Sequence, residues 1–147
     1  MSIREDMPLL ARNEGEWLGE YIYVDNDGNV TDRHQSHLTC RFPTEGPHPY
    51  LQTNHYTWAD GRTDTFDFPA TYHDKQVWFD TPRLLGHAWE VDERTIVLTW
   101  HYKAKPQDQL YEMIQLSSDG QHRARTWHWF EDGQIVKRTI IKEKRKA

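Results

Sequence analysis

A single cysteine, Cys40, is all the chain contains. No disulfide can form within it, so the fold must hold by packing, and a reducing compartment such as the cytoplasm is expected. Long apolar runs are missing too. No stretch approaches the roughly 20 residues of a membrane helix, so no membrane partner is expected. The opening residues Met1-Ser2-Ile3-Arg4-Glu5-Asp6 have no apolar core, which argues against a secretory leader. Glycine is scarce, at 8 of 147 residues, and builds no phosphate-cradling loop. There is no G-x-S-x-G elbow and no H-E-x-x-H helix. Nucleotide-dependent chemistry, serine hydrolysis, zincin proteolysis and Rossmann-bound redox cofactors are therefore not expected. A clustered basic face is absent as well: the formal charge is −5, and residues 142–147 hold four of the cations. The body is thus more acidic than the total, which argues against a nucleic-acid partner. The basic 142–147 segment is expected as a frayed, solvated end.

What the chain does have is aromatic side chains, 13% of residues with seven Trp and seven Tyr, and regularly spaced turns. Asp27-Gly28, Asp60-Gly61, Asp119-Gly120 and Asp132-Gly133 separate stretches of alternating β-branched, aromatic and polar residues. Asp-Gly tolerates the positive φ angles of tight hairpins, so each pair marks a corner. A period of two predicts ten strands, near 16–24, 34–42, 50–58, 63–72, 76–80, 85–91, 95–103, 109–117, 122–130 and 135–143. One short helix is expected over Met7–Asn13, stopped by Gly15. Pro43, Pro47 and Pro49 make the segment after the second strand a loop. The expectation is all-β: one antiparallel barrel of eight to ten strands over residues 1–147, with a short N-terminal helix.

Turn chemistry predicts which side chains share a face. A two-residue turn at Asp119-Gly120 sets Glu112 opposite Trp127, Ile114 opposite Arg125 and Leu116 opposite Arg123. The same turn at Asp132-Gly133 sets Trp129 opposite Val136 and Trp127 opposite Arg138. One at Asp92-Glu93 sets Trp89 opposite Ile96, His87 opposite Leu98 and Leu85 opposite Trp100. These sets form the inward face, with Glu112, Arg125 and Arg138 embedded among aromatics. In the second strand His34, Ser36, Leu38, Cys40 and Phe42 share the inward side.

Gly15-Glu16-Trp17 opens the first strand just after the helix, and Arg138 lies in the last strand. The chain in this respect resembles the calycin superfamily of lipocalins and fatty-acid-binding-like barrels. That resemblance implies that Trp17 sits at the closed end and that Arg138 packs across it, gaining cation–π attraction and capping carbonyls. Leu38-Thr39-Cys40-Arg41-Phe42-Pro43 and Thr126-Trp127-His128-Trp129-Phe130 add a likeness to a bacterial lipocalin-like family of unknown function. The superfamily includes bilin lyases, haem-binding barrels, cyclases and decarboxylases, so the likeness implies a container without naming its contents.

The sharpest constellation is Glu112 with Arg125 and Arg138. It reads either as an ion network closing the barrel floor or as a site in which Arg125 binds an oxyanion while Glu112 transfers a proton. Tyr21, on the face of Trp17, and His87 are further catalytic candidates, with Tyr23 and Asp67 behind them. Trp17, Trp89, Trp100, Trp127, Trp129, Arg138, Tyr56 and His34 are the expected ligand-binding residues. No metal site and no cofactor is expected, because the nine histidines show no convergent ligand spacing. Cys40 has no expected basic neighbour. The lumen is expected to take a small hydrophobic or aromatic molecule, with or without cofactor-free isomerase, cyclase or lyase chemistry. The alternatives are a carrier or sensor of haem, bilin or lipid, and a barrel whose core is full. Aromatics left on outer faces would suit a homodimer.

Overall fold

In the computed structural model, which describes residues 2–147, ten antiparallel strands close into one barrel. They are β1 (Gly15–Asp25), β2 (Val30–Arg41), β3 (Tyr50–Thr57), β4 (Thr63–His73), β5 (Gln76–Asp80), β6 (Leu84–Glu90), β7 (Thr95–Tyr102), β8 (Gln109–Leu116), β9 (His122–Glu131) and β10 (Gln134–Arg145). Each pairs with its neighbour in sequence, and β10 pairs with β1. Every predicted strand is present, within a few residues at each end.

Two short helices precede the barrel: one within the expected Met7–Asn13 span, and one ahead of it that was not expected. Helix α1 (Ile3–Asp6) is capped by the Ser2 hydroxyl, which accepts from Glu5 N at 3.3 Å. Helix α2 (Pro8–Ala11) begins at Pro8, which pushes Met7 out of the helical region to φ −128°. Ile3, Met7, Leu9 and Leu10 are buried and plug one end of the barrel.

Two local features set which side chains reach the interior. At Asp132-Gly133 both φ angles are positive, 48° and 79°, and Glu131 pairs with Gln134, so the predicted two-residue turn is there. Val136 then bulges: Ile135 pairs with Phe130, and the next pair is Lys137 with Trp129. The extra residue flips everything beyond it. Arg138 therefore lies exposed on the outside, and Thr139, Ile141 and Glu143 point inward.

At Asp92 the loop holds three residues rather than two. Val91 N donates to Thr95 O at 2.9 Å, and Asp92 Oδ1 accepts from Arg94 N at 2.8 Å. Pairing thus becomes Trp89 with Val97 and His87 with Thr99, so Gly86 and Ala88 face the core, while Leu85, His87 and Trp89 face outward. The Asp119-Gly120 register matches expectation, with Glu112 opposite Trp127 and Leu116 opposite Arg123. Residues 142–145, expected as a frayed end, continue β10 along β1, with Trp17 opposite Arg145. No helix among the described residues is long and apolar enough to cross a membrane.

Candidate functional site

The closed end is organised around Trp17. Its Nε1 donates to the Asn13 carbonyl at 2.9 Å, and the side chain is wholly buried. Two guanidiniums lie against the indole, Arg145 at 4.3 Å and Arg123 at 4.7 Å from the ring. Arg145, not Arg138, is the last-strand arginine here. It donates to the carbonyls of Gly120 (3.0 Å), Glu14 (2.6 Å) and Arg12 (2.9 Å), tying the end of α2 to the β8–β9 turn. Fixed donors satisfy carbonyls that the barrel end would otherwise leave orphaned.

Above Trp17 lies a buried network of four charges. Arg123 Nε donates to Glu143 Oε1 (2.9 Å) and Nη1 to Asn13 Oδ1 (2.9 Å). Arg125 Nε donates to Glu112 Oε2 (2.6 Å), and its Nη1 to Tyr21 Oη (2.9 Å) and Glu143 Oε2 (3.1 Å). The four charged residues are 3–5% exposed, deep enough that an uncompensated charge would be costly. Burial opposes the Arg125 charge, yet Glu112, Tyr21 and Glu143 outweigh it and hold its pKa well above the arginine range. Burial also pushes the phenols of Tyr21, Tyr50 and Tyr56 above their ordinary value. Arg123 Nη1 stands 4.0 Å from Cys40 Sγ, so the buried thiol has a cationic neighbour that was not expected.

Over this floor the barrel is not filled. A cavity leaves about 80 Å³ to the centres of water molecules. That much room for water centres holds several waters or a small ring. Tyr56, Phe68, Leu98, Trp100, Ile114 and Trp127 supply apolar wall, and Glu112, Arg123, Arg125, Gln52 and Asn54 supply polar wall. A ladder climbs the inward positions of β3. Tyr50 Oη donates to Gln52 Oε1 (3.0 Å), Gln52 Nε2 to Asn54 Oδ1 (2.9 Å) and Asn54 Nδ2 to Tyr56 Oη (2.8 Å).

Of the residues expected at a site, Glu112, Arg125, Tyr56, Trp100 and Trp127 meet at this cavity. Tyr21 and His34 stack on one another at 5.0 Å beside it, and His34 Nδ1 is held by Asp32 at 2.8 Å. Trp129 packs edge-on to Trp100 and Trp127 and donates to Thr139 Oγ1 at 2.9 Å. Trp17 lies in the floor.

His87, Trp89 and Arg138 are corrected to the outer surface. His87 is stacked there between Trp78 (4.4 Å) and Trp89 (5.1 Å), where burial lowers its pKa. Asp67 is exposed and accepts from Thr53 Oγ1 at 2.7 Å. Sequence reasoning sets Arg123 opposite Leu116 on the inward face without naming it as a site residue; it misses Glu143, which the expected facing of β10 puts outside, and the Gln52–Asn54 pair, which alternates with two tyrosines. No group of three or more His, Cys, Asp or Glu converges as a metal site among the described residues.

A closed ten-stranded antiparallel barrel, plugged by short helices and floored by a tryptophan under arginine, is calycin-like in fold. Among solved structures, the S-type phycobiliprotein lyase CPES from Guillardia theta is similar over all of this chain and 94% of its own, at 13% identity and a TM-score of 0.72. A protein of unknown function of the DUF3598 family from Nostoc punctiforme matches 93% of this chain at 19% identity and a TM-score of 0.72. This chain spans about half of that protein, 49% of its length. Rv2717c from M. tuberculosis is similar over 97% of this chain and 98% of its own, at 12% identity and a TM-score of 0.64. No family model matches the chain, and no curated protein matches it. At these identities the likeness is one of fold.

Proposed function

We propose that the barrel binds a small apolar or aromatic molecule in its lumen. The observation that carries this reading is the cavity of about 80 Å³ walled by Trp100, Trp127, Tyr56 and Ile114, with polar groups confined to its floor and one side. An apolar wall with a few convergent polar groups is the profile of a small-molecule site. A space of this size suits a ring-sized metabolite better than a tetrapyrrole. The fold shared with a phycobiliprotein lyase supports a container without choosing its contents.

A second reading, cofactor-free proton transfer, is favoured by the position of Glu112 on the cavity wall. The bond from Arg125 to Glu112 Oε2 weighs against it, since that oxygen is already engaged in the floor.

A thermal-shift screen of aromatic metabolites tests the binding reading. A ligand at 100 times its Kd stabilises the fold by about 2.7 kcal/mol. Ala88→Leu is the control, because Ala88 lines the cavity and the added carbons occupy it. We expect hits on the unmodified protein that disappear in this variant while its own Tm is kept. Hits that persist unchanged in Ala88→Leu would place the binding elsewhere.

A further inference from the structure

Among the cations at inward strand positions, Lys137 stands apart. Arg123 and Arg125 are bonded to glutamates, and Arg145 to backbone carbonyls. Lys137 makes no hydrogen bond or ion pair among the described residues; its ammonium rests 4.7 Å over Trp129 and 5.6 Å over Tyr23. It points inward because Val136 bulges, which gives it the parity of Thr139 and Ile141. A surface lysine stands in water on an outer face. This one is half-buried on the inner face, at the open end of the barrel, yet not sealed from water.

A second hollow lies around it, leaving about 180 Å³ to the centres of water molecules. Trp100, Tyr102, Leu110, Trp129 and Lys137 are among its walls. Pairing sets Trp100, Leu110, Trp129 and Lys137 in one row across β7 to β10. The next row down holds Leu98, Glu112 and Trp127, which wall the lumen cavity. Such rows are two residues apart, about 7 Å. Trp100 walls both hollows.

The charges say which end of a guest goes where. The floor is neutral as it stands, because Glu112 and Glu143 match Arg123 and Arg125. Arg125, expected to bind an oxyanion, is instead occupied by its two glutamates and Tyr21. A carboxylate there would be a buried charge with no cation left to meet it. At the mouth the carboxylates are engaged or peripheral. Asp32, paired with Tyr23, is bonded to His34 (2.8 Å) and Trp58 (3.1 Å). Asp108 accepts from Asp132 N at 3.4 Å, and Glu131 is exposed at the hairpin rim. The N–H donors of the Lys137 ammonium are therefore left for a guest.

We propose, building on the lumen-binding reading, that the guest is an aromatic or apolar acid whose ring lies in the lumen and whose carboxylate, on a short side chain, reaches the mouth and pairs with Lys137. Arylalkanoic acids meet this description.

The test uses three probes of one shape and different charge: 3-phenylpropionate, 3-phenylpropionamide and 3-phenylpropylammonium. Each is titrated into the unmodified protein at neutral pH and followed by NMR on the Trp129 indole signal and the methyl signals of Leu98 and Ile114. All three are expected to move the methyl signals. The anion is expected to bind about five- to tenfold more tightly than the amide, as a charge-assisted bond partly screened by solvent gives, and to move the Trp129 signal most. The cation should bind most weakly, and added salt should narrow the spread. Lys137→Met keeps the chain length and removes the charge. It should bring the anion down to the amide and leave the amide unchanged.

Equal binding of anion and amide sinks the inference, while the lumen-binding reading stands. An anion preference that survives in Lys137→Met overturns it too, since the charge would be met elsewhere. So does an anion that moves the Trp129 signal but not the methyl signals, because it would sit at the mouth alone. If no probe moves the methyl signals, the lumen-binding reading fails for molecules of this size and the inference fails with it. The charge series on the unmodified protein decides the matter even if the variant does not fold.

Discussion

Glu112 is the residue on which the floor network is most exposed to test. It takes the shortest of the bonds to Arg125, and both side chains are all but sealed from water. Removing one member of a buried pair strands the other, at about 3–5 kcal/mol. Glu112→Gln is therefore expected to lower stability by that order in denaturant titration. A variant with an unchanged midpoint would revive the proton-transfer role. The tyrosines give a second residue-scale expectation. Tyr21 and Tyr50 have pKa values raised by burial above the ordinary value of 10.0. Their contribution is fully present below pH 10 and is lost as pH rises further, because the unfolded chain releases these protons first. Absorbance titration of phenolate should leave both tyrosines silent until the fold opens. Tyr21→Phe should shallow the alkaline fall in stability.

Among the elements, β6 and β7 show how closely the barrel wall is packed. Gly86 faces inward against β7, and a Cβ there would meet the Thr99 carbonyl oxygen at 2.6 Å and Trp100 Cβ closer still. Neither neighbour is a flexible tip that could move aside. Gly86→Ala is expected to cost about 1–3 kcal/mol, as overpacking does, read as a lowered Tm. A stability equal to the parent would mean the two strands already stand apart.

The elements also show what was legible. All ten strands are readable because turn residues and a period of two mark them directly. Facing is readable in β1, β2, β7, β8 and β9. It fails in β6 and beyond Val136 in β10, since a third loop residue and a bulge flip the alternation without changing residue types. The floor arginine is misplaced for that reason: Arg138 and Arg145 are both plausible from composition, and only the bulge decides between them. Helix α2 covers only Pro8–Ala11 of the expected Met7–Asn13, because the chain turns at Arg12 and Asn13, and α1 lies ahead of that span.

For the molecule as a whole, the decisive fact is closure through β1 and β10. Their ladder runs from Trp17 opposite Arg145 to Asp25 opposite Lys137. A closed barrel has no free edges, and opening it would expose two. A chain cut after Gly133 loses Glu143 and Arg145 together, and with them the partner of Arg123 and the tie across α2. We expect that fragment to lack a cooperative thermal transition and to self-associate, as measured by calorimetry and sedimentation. A sharp transition in the fragment would show that the remaining nine strands hold without the seam.

That seam also sets a pace. Neighbouring hairpins can zip within their own few residues, but the indole at position 17 waits for a guanidinium more than a hundred residues further along. Joining points so distant costs chain entropy before any contact repays it, and β-rich topologies of this kind reach the native state in milliseconds to seconds rather than microseconds. Until the two remote strands meet, the hollow that would hold a guest has no base, so the protein acquires its capacity to bind only in the final act of folding.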